Sequence, residues 1–157
     1  MAEQISSFFT IDMIYLWLNI GIIPFWLVLI FFPNSKICSV FVSSIFPIFI
    51  LSLIYLYLVY FFYVSGYDFG QNFSLYLSLD SLNQLFNEKA FLIIFWTHFI
   101  AINLFCGSWI VSDSRKFSMS KILVFFPLVI TYFIGPLGVF IYWLIRIFFA
   151  KKISFND

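Results

Sequence analysis

The chain has 157 residues, of which 64% are hydrophobic and only 10% are charged. In a soluble globular domain about a quarter of the residues are charged, so this composition excludes that class and indicates a helical membrane protein. The net charge of +1 gives no indication of nucleic acid as a partner. The length is too small for two membrane domains, so residues 1–157 are expected to form a single one. Two cysteines without a CxxC pair and a single histidine predict neither a disulfide nor a metal site.

Four apolar segments are each long enough to cross a bilayer core of about 30 Å at about 1.5 Å per residue. The predicted helices cover about residues 11–32, 40–64, 90–111 and 121–149. The predicted fold class is therefore all-α: an integral membrane protein with four transmembrane helices in one small bundle and both termini on the same side. The fourth helix is too long to stand upright, so it must tilt, kink at Gly135-Pro136 or project from the membrane.

The long loop 65–89 is expected to carry a short amphipathic segment between residues 73 and 86, lying on the membrane surface or over the bundle end. Residues 112–120 are predicted to form a turn. Basic residues lean only slightly towards the two short turns, which weakly favours their facing the cytoplasm or its equivalent.

Polar side chains inside apolar helices are costly, so by default they indicate a site or a helix–helix contact. Counting along the helices places one polar group from each in a common layer: Asn19, Tyr57, His98 and Tyr142. His98 is expected to face the bundle interior, either as a hydrogen-bonded packing residue or as an acid–base group. Asp12 and Arg146 are expected at a similar depth, where they could pair.

The helical spacing also groups residues into faces. The third helix has two nearly opposite stripes, one of His98, Ile102, Phe105 and Trp109 and the other of Trp96, Asn103 and Gly107. The fourth helix has one narrow face of small and polar residues: Thr131, Gly135, Gly138, Tyr142 and Arg146. Small residues there allow another helix to approach closely, or leave a groove for an elongated ligand.

Several of these residues form a pattern with others along the chain. The pattern consists of Pro24-Phe25-Trp26-Leu27, Pro33, Ser44-x-x-Pro47, Tyr55, Trp96-x-His98, Leu104-Phe105, Gly107, Trp109, Asp113, Thr131-x-x-x-Gly135-Pro136-x-Gly138 and Arg146. In order and spacing it resembles the abscisic-acid-deficient-four-like family, the plant neoxanthin-synthesis proteins and their bacterial relatives. The resemblance covers about residues 11–149. One position differs, because Asn103 stands where the family typically has an aspartate.

The resemblance implies a membrane protein of xanthophyll metabolism that converts an epoxy-carotenoid to an allenic carotenoid, or an essential partner of that enzyme. Such an isomerisation would need no cofactor, only an acid for the epoxide oxygen and a base for a polyene proton. The candidate catalytic residues are His98, Tyr142 and Asp113. The candidate substrate-binding residues are Asn19, Tyr57, Trp96, Asn103, Trp109, Thr131, Gly135, Gly138 and Arg146.

The alternative is a non-catalytic pigment- or lipid-binding small subunit of a larger membrane complex. Aromatic residues make up 25% of the chain, which suits a polyene ligand and also suits contact with lipid. The expected partners are membrane lipid, a carotenoid or other polyene, and a larger membrane protein complex. The expected location is an integral position in a plastid membrane (thylakoid or envelope) or in a bacterial inner membrane.

Overall fold

A computed structural model describes residues 10–150 of the chain, and the regular structure within them is helical. The helices in chain order are α1 (Ile11–Phe31), α2 (Phe46–Val64), α3 (Leu79–Asn87), α4 (Lys89–Lys116), α5 (Lys121–Phe133) and α6 (Gly135–Ala150). A π-helical turn, Cys38–Val42, precedes α2, and a 3-10 segment, Phe69–Tyr76, precedes α3. The predicted all-α class is confirmed for this part of the chain.

Three segments of the described chain are long and apolar enough to cross a membrane: Ile11–Phe31, Cys38–Val64 and Lys89–Lys116. They correspond to the first three predicted helices and suggest a membrane protein, although bends at residues 43–45 interrupt the second and the third extends to Lys116. The first of them begins as its sequence predicts, because the Thr10 hydroxyl oxygen accepts a hydrogen bond from the backbone N–H of Met13 at 3.3 Å.

Helix α4 is longer than its sequence predicts. The turn expected at residues 112–120 begins only after Lys116, so its first part is helical and that prediction is wrong. The extra helical turn brings Asp113 and Arg115 to partners on other elements, which compensates the cost of burying their polar groups. The chain then reverses at Ser118, whose φ of 51° lies in the left-handed region.

The long connection contains the amphipathic segment that was predicted. The Asp68 carboxylate accepts a hydrogen bond from the Gly70 N–H at 2.8 Å and starts the 3-10 segment. The Ser78 hydroxyl accepts one from the Ser81 N–H at 3.1 Å and caps α3. Leu85 is the residue of α3 that is buried, so one face of this short helix packs inwards.

The predicted fourth helix is two helices. The backbone leaves the helical region at Ile134, with φ −140° and ψ 84°, directly before Gly135-Pro136. Of the alternatives for residues 121–149, the kink at Gly135-Pro136 is the one that the structure shows, and a continuous helix is wrong. Helices α5 and α6 have 13 and 16 residues. Their lengths of about 20 and 24 Å are shorter than a bilayer core of about 30 Å.

Contacts group the described chain into two compact units. The first contains residues 10–20 and Phe49–Ile100, and the second contains Gly21–Ile48 and residues 101–150. Aromatic pairs hold the first unit together. Tyr15 packs on Trp96 with 5.9 Å between ring centroids, and Phe86 packs on Phe95 at 4.8 Å.

In the second unit, paired contacts show in which direction each helix runs. A Cβ on Gly107 would lie 2.8 Å from the Trp26 ring, and the Arg115 Nε donates to the Pro33 carbonyl at 2.8 Å. The C-terminal parts of α1 and α4 therefore run parallel. Phe31 contacts Phe125, and Trp26 contacts Tyr132. Because these partners appear in opposite order, α5 runs antiparallel to α1.

The same reasoning gives the direction of α6. Gly135 lies against the Asn103 side chain, and Arg146 pairs with Asp113, so α6 runs parallel to α4. Helices α5 and α6 therefore form an antiparallel hairpin that closes at Ile134 (the α5–α6 hairpin). The tip of the hairpin lies beside the middle of α4, and its two open ends lie towards Lys116.

Candidate functional site

Asp113, Tyr142 and Arg146 form a buried polar cluster in the second unit, here called the Asp113 cluster. The Tyr142 hydroxyl donates to Asp113 Oδ2 at 2.7 Å, and Arg146 Nε donates to the same oxygen at 2.6 Å. Arg146 Nη2 reaches Asp113 Oδ1 at 3.4 Å. Their side chains are almost fully removed from solvent, with exposed fractions of 3% for Asp113, 0% for Tyr142 and 1% for Arg146.

Aromatic rings surround the cluster. Trp109 meets Tyr142 edge-to-face, with 5.6 Å between ring centroids. The Arg146 guanidinium carbon lies 4.9 Å from the Phe117 ring centre and 5.0 Å from that of Trp143, both within cation–π range. These flat faces stabilise the buried cation, while Asp113 supplies the opposite charge.

Helix spacing explains how the cluster assembles. Tyr142 and Arg146 stand four residues apart on α6 and so share one face, which α6 turns towards Asp113 on α4. Burying two charges costs several kcal/mol each, and the ion pair and its hydrogen bonds offset this cost. The cluster can fasten α6 to α4, and it also places a hydroxyl donor against a carboxylate acceptor.

A second group of predicted residues meets at the hairpin tip. Gly135 lies against Asn103, and Gly138 lies against the backbone and hydroxyl of Thr131, whose hydroxyl donates to the Pro127 carbonyl at 2.7 Å. A Cβ at either glycine would overlap these neighbours, so the small residues fill a close helix contact here. Asn103 is only 4% exposed, and among the described residues its Nδ2 is the buried side-chain nitrogen left without a hydrogen-bond partner.

In the first unit, the structure joins two other predicted residues. Trp96 Nε1 donates to Asn19 Oδ1 at 3.3 Å, and the Asn19 Nδ2 donates to the Tyr15 carbonyl at 2.7 Å. The polar group of α1 is therefore satisfied by an indole and by its own backbone.

His98 does not face the interior. Its side chain is exposed, and its neighbour is the Tyr55 ring, with 6.5 Å between ring centroids. The prediction of an inward imidazole is wrong, because α4 turns the stripe of Trp96, Asn103 and Gly107 towards other helices. Ile102 and Phe105, which share the His98 stripe, are exposed as well, whereas Trp109, the fourth residue of that stripe, is half-buried and packs on Tyr142. Tyr57 is also exposed and stacks on Phe61.

The single polar layer and the Asp12–Arg146 pair are also wrong. Tyr142 contacts Asp113 near the C-terminal end of α4, whereas His98 lies in the N-terminal half of that helix. Counting residues along the helices gave a wrong depth for Tyr142, because α6 is one arm of the α5–α6 hairpin and not the end of one long helix. Arg146 takes Asp113 as its carboxylate partner, and Asp12 is exposed on α1.

Two features of the second unit were not predicted. Phe117 and Trp143 flank the guanidinium of Arg146. The spacing from Trp143 to Arg146 on one helix was a usable signal for the second, whereas nothing in the sequence marked Phe117. The bond from Arg115 to the Pro33 carbonyl, made by both Nε and Nη2, joins distant positions that carry no shared motif. Within residues 10–150, His, Cys, Asp and Glu side chains form no group of three that could hold a metal ion.

Three helices of membrane-spanning length suggest a membrane protein, and the second unit adds a helical hairpin and a buried ionic cluster. A family model described as ABA DEFICIENT 4-like matches residues 13–142, and the chain belongs to this ABA4-like family. The matched region contains Asp113 and Tyr142 and ends before Arg146. Comparisons with curated proteins and with solved structures found no match.

Proposed function

We propose that this protein acts in xanthophyll metabolism, in the isomerisation of an epoxy-carotenoid to an allenic carotenoid, as the enzyme or as an essential partner of it. The match of residues 13–142 to the ABA4-like family carries this proposal, since membership suggests a role related to the neoxanthin and abscisic acid pathway. The buried hydroxyl–carboxylate pair of the Asp113 cluster supports it.

The proposed reaction needs no oxidant or reductant. One C–O bond of the epoxide breaks, and its oxygen takes up a proton and becomes a hydroxyl. A polyene carbon loses a proton, and its C–H electron pair shifts the double bonds to form the allene. One proton enters and one leaves, so substrate and product have the same composition. The protein has to supply one acid and one base.

The Asp113 cluster contains a proton donor and a proton acceptor at hydrogen-bond distance, Tyr142 and Asp113. Arg146 also donates to Asp113 Oδ2, so this oxygen accepts from both side chains and Tyr142 is the candidate proton donor. The Asn103 Nδ2 is a donor without a partner at the hairpin tip and could bind a substrate oxygen. His98 remains a candidate acid–base group in the first unit.

The second candidate is a non-catalytic pigment- or lipid-binding subunit of a larger membrane complex. One observation favours it: Asp113, Tyr142 and Arg146 satisfy one another and are closed off from solvent. A cluster arranged in this way stabilises the fold without any reaction.

In both candidates the chain works inside a membrane, of a plastid or of a bacterial cell. Three segments would cross it, and the α5–α6 hairpin would enter from one side in place of the fourth span that the sequence predicts.

Pigment conversion tests the proposal. The full chain is expressed in a host that accumulates an epoxy-xanthophyll, and the pigments are separated by chromatography. Tyr142→Phe keeps the ring against Trp109 and removes only the hydroxyl. If Tyr142 serves in acid–base chemistry, conversion per folded molecule falls by about a hundred-fold or more.

Tyr132→Phe is the matched control. It removes a hydroxyl from the half-buried Tyr132 of α5, whose ring packs on Trp26, and should leave conversion unchanged. Equal conversion by Tyr142→Phe and the native chain would remove Tyr142 from the chemistry. A native chain that co-purifies with pigment but never converts it would favour the subunit role.

A further inference from the structure

A polar groove opens in the second unit where the C-terminal ends of α1 and α4 meet. It has a volume of about 520 Å³, and its lining includes Asn34, Lys36, Ser39, Arg115 and Ser118. Two of these side chains are cationic, and none of the lining residues is acidic. The nearby carboxylate of Asp113 is already bound by Tyr142 and Arg146. The groove therefore presents positive charge without an anion from its own walls.

Arg115 is fixed in position in this groove. Its Nε and Nη2 both donate to the Pro33 carbonyl, and the side chain is half-buried. A guanidinium has five N–H donors, so this anchoring leaves others for a ligand. Lys36 adds an exposed ammonium, and Ser39 and Ser118 add exposed hydroxyls. Fixed guanidinium donors beside hydroxyls and an ammonium suit the oxygen atoms of a phosphate.

An apolar groove is formed by residues next to those of the polar groove. Residues 30–31 and 121–126 line the apolar groove, and residues 34–39 and 115–119 line the polar one. The apolar groove has a volume of about 320 Å³ and is lined by Ile30, Phe31, Ile122, Phe125, Phe126 and Lys121. Its apolar side chains immediately precede and follow the turns that form the polar groove. Lys121 is the charged residue of the apolar groove, which indicates that an occupant has an apolar part and an anionic end.

We propose that the two grooves together bind one anionic membrane phospholipid. The phosphate binds between Lys36 and Arg115, and an acyl chain lies along Phe31, Ile122 and Phe126. Three cations near the groove ends provide the charge complementarity, and the exposed Phe31 and Ile122 place the site at lipid level. The site does not depend on the proposed carotenoid function.

Lipid binding to the purified full chain tests this inference. Protein freed of lipid in neutral detergent is titrated with phosphatidylglycerol or phosphatidylcholine of identical acyl chains, and bound lipid is counted by native mass spectrometry. We expect phosphatidylglycerol to bind more tightly. Lys36→Gln should weaken its binding about five-fold, the effect of one basic residue near an anionic headgroup.

Lys89→Gln is the matched control, because it removes one exposed lysine from the start of α4, in the first unit. It should leave phosphatidylglycerol binding unchanged. Equal binding of the two lipids, or equal loss in the two variants, would overturn the proposal.

Glycerol 3-phosphate, which carries the phosphate without acyl chains, should bind far more weakly than the lipid. If it binds as tightly, the site is one for a free anion and the lipid proposal fails.

Discussion

Asp113 receives hydrogen bonds from two residues that reach it from a different helix, and this makes it a sensitive position. Asp113→Ala leaves the Arg146 guanidinium buried without its carboxylate, at an expected cost of about 3–5 kcal/mol in the free energy of unfolding. Thermal unfolding in detergent measures the loss. The variant pair Asp113→Leu with Arg146→Met removes both charges and should be more stable than Asp113→Ala alone. A double variant less stable than the single one would contradict an ionic role for the cluster.

For His98, by contrast, we expect substitution to have little effect on the free energy of unfolding. Because its side chain is exposed, His98→Gln should change the free energy of unfolding by no more than about 0.5 kcal/mol. Trp96→Phe is the comparison, since it removes the indole donor to Asn19 and should destabilise by about 1 kcal/mol. Both are read from thermal unfolding. A marked loss of stability in His98→Gln would show an unrecognised structural partner, whereas lost pigment conversion without lost stability would assign it to the reaction.

The two stripes of α4 show which feature of individual residues the sequence could not predict. Spacing separates the His98 stripe from the stripe of Trp96, Asn103 and Gly107. It cannot say that the second stripe packs along its length, whereas the first packs only at Trp109. In a soluble helix the apolar side packs inwards, whereas in lipid both sides are apolar. The deciding features are steric and local: Gly107 admits the Trp26 ring, and Asn103 meets Gly135.

At the scale of elements, the α5–α6 hairpin depends on Gly135 and Gly138, which allow close contact with Asn103 and Thr131. A methyl group at Gly138 would overlap the backbone of Thr131, which cannot move aside as a flexible side chain could. We expect Gly138→Ala to destabilise the protein by about 1–3 kcal/mol. Gly21→Ala is the control, because Gly21 lies in α1 with open space around it and alanine favours a helix. Thermal unfolding of both variants is the measurement, and equal stability would mean that the hairpin is looser than described.

Hydropathy predicted the three segments of membrane-spanning length, because length and apolar content are properties of each segment alone. The break at Gly135-Pro136 was also visible, since proline removes a backbone donor. The reversal of the chain at this break was not visible in the sequence, because a kink and a hairpin can have the same local sequence. Their difference lies in the contacts of Gly135 with Asn103 and of Gly138 with Thr131, which no local pattern predicts.

For the whole molecule, the hairpin changes the expected topology. If the three segments of spanning length cross the membrane, Thr10 and the Lys116 end of α4 lie on opposite sides, and the open ends of the α5–α6 hairpin lie on the Lys116 side. Lys36, Arg115, Lys116 and Lys121 then share a side, and Lys151 and Lys152 follow α6 in the sequence, whereas Lys89 lies at the opposite end of α4. In this three-span arrangement the charge bias is larger than in the four-span one, and by the positive-inside rule we predict that this side faces the cytoplasm or its equivalent.

Reporter fusions distinguish the two topologies. We expect fusions after Asn34 and after Asp157 to give the same signal, and a fusion after Gly70 to give the opposite one. Four full spans predict opposite signals for Asn34 and Asp157. The Gly70 fusion serves as the control in both cases, since it reports the loop between the second and third spans.

The position of the cluster partners has a consequence for how the protein is made. Asp113 is synthesised 33 residues before Arg146, so α4 exists for a time without either donor from α6. At about 5–20 residues per second, that interval lasts about 2–7 s. A nascent or truncated chain that stops before Tyr142 carries the Asp113 carboxyl group in an apolar helix without Tyr142 and Arg146. We expect such a chain to be degraded faster than the complete one, because a buried polar group without its partners destabilises the fold.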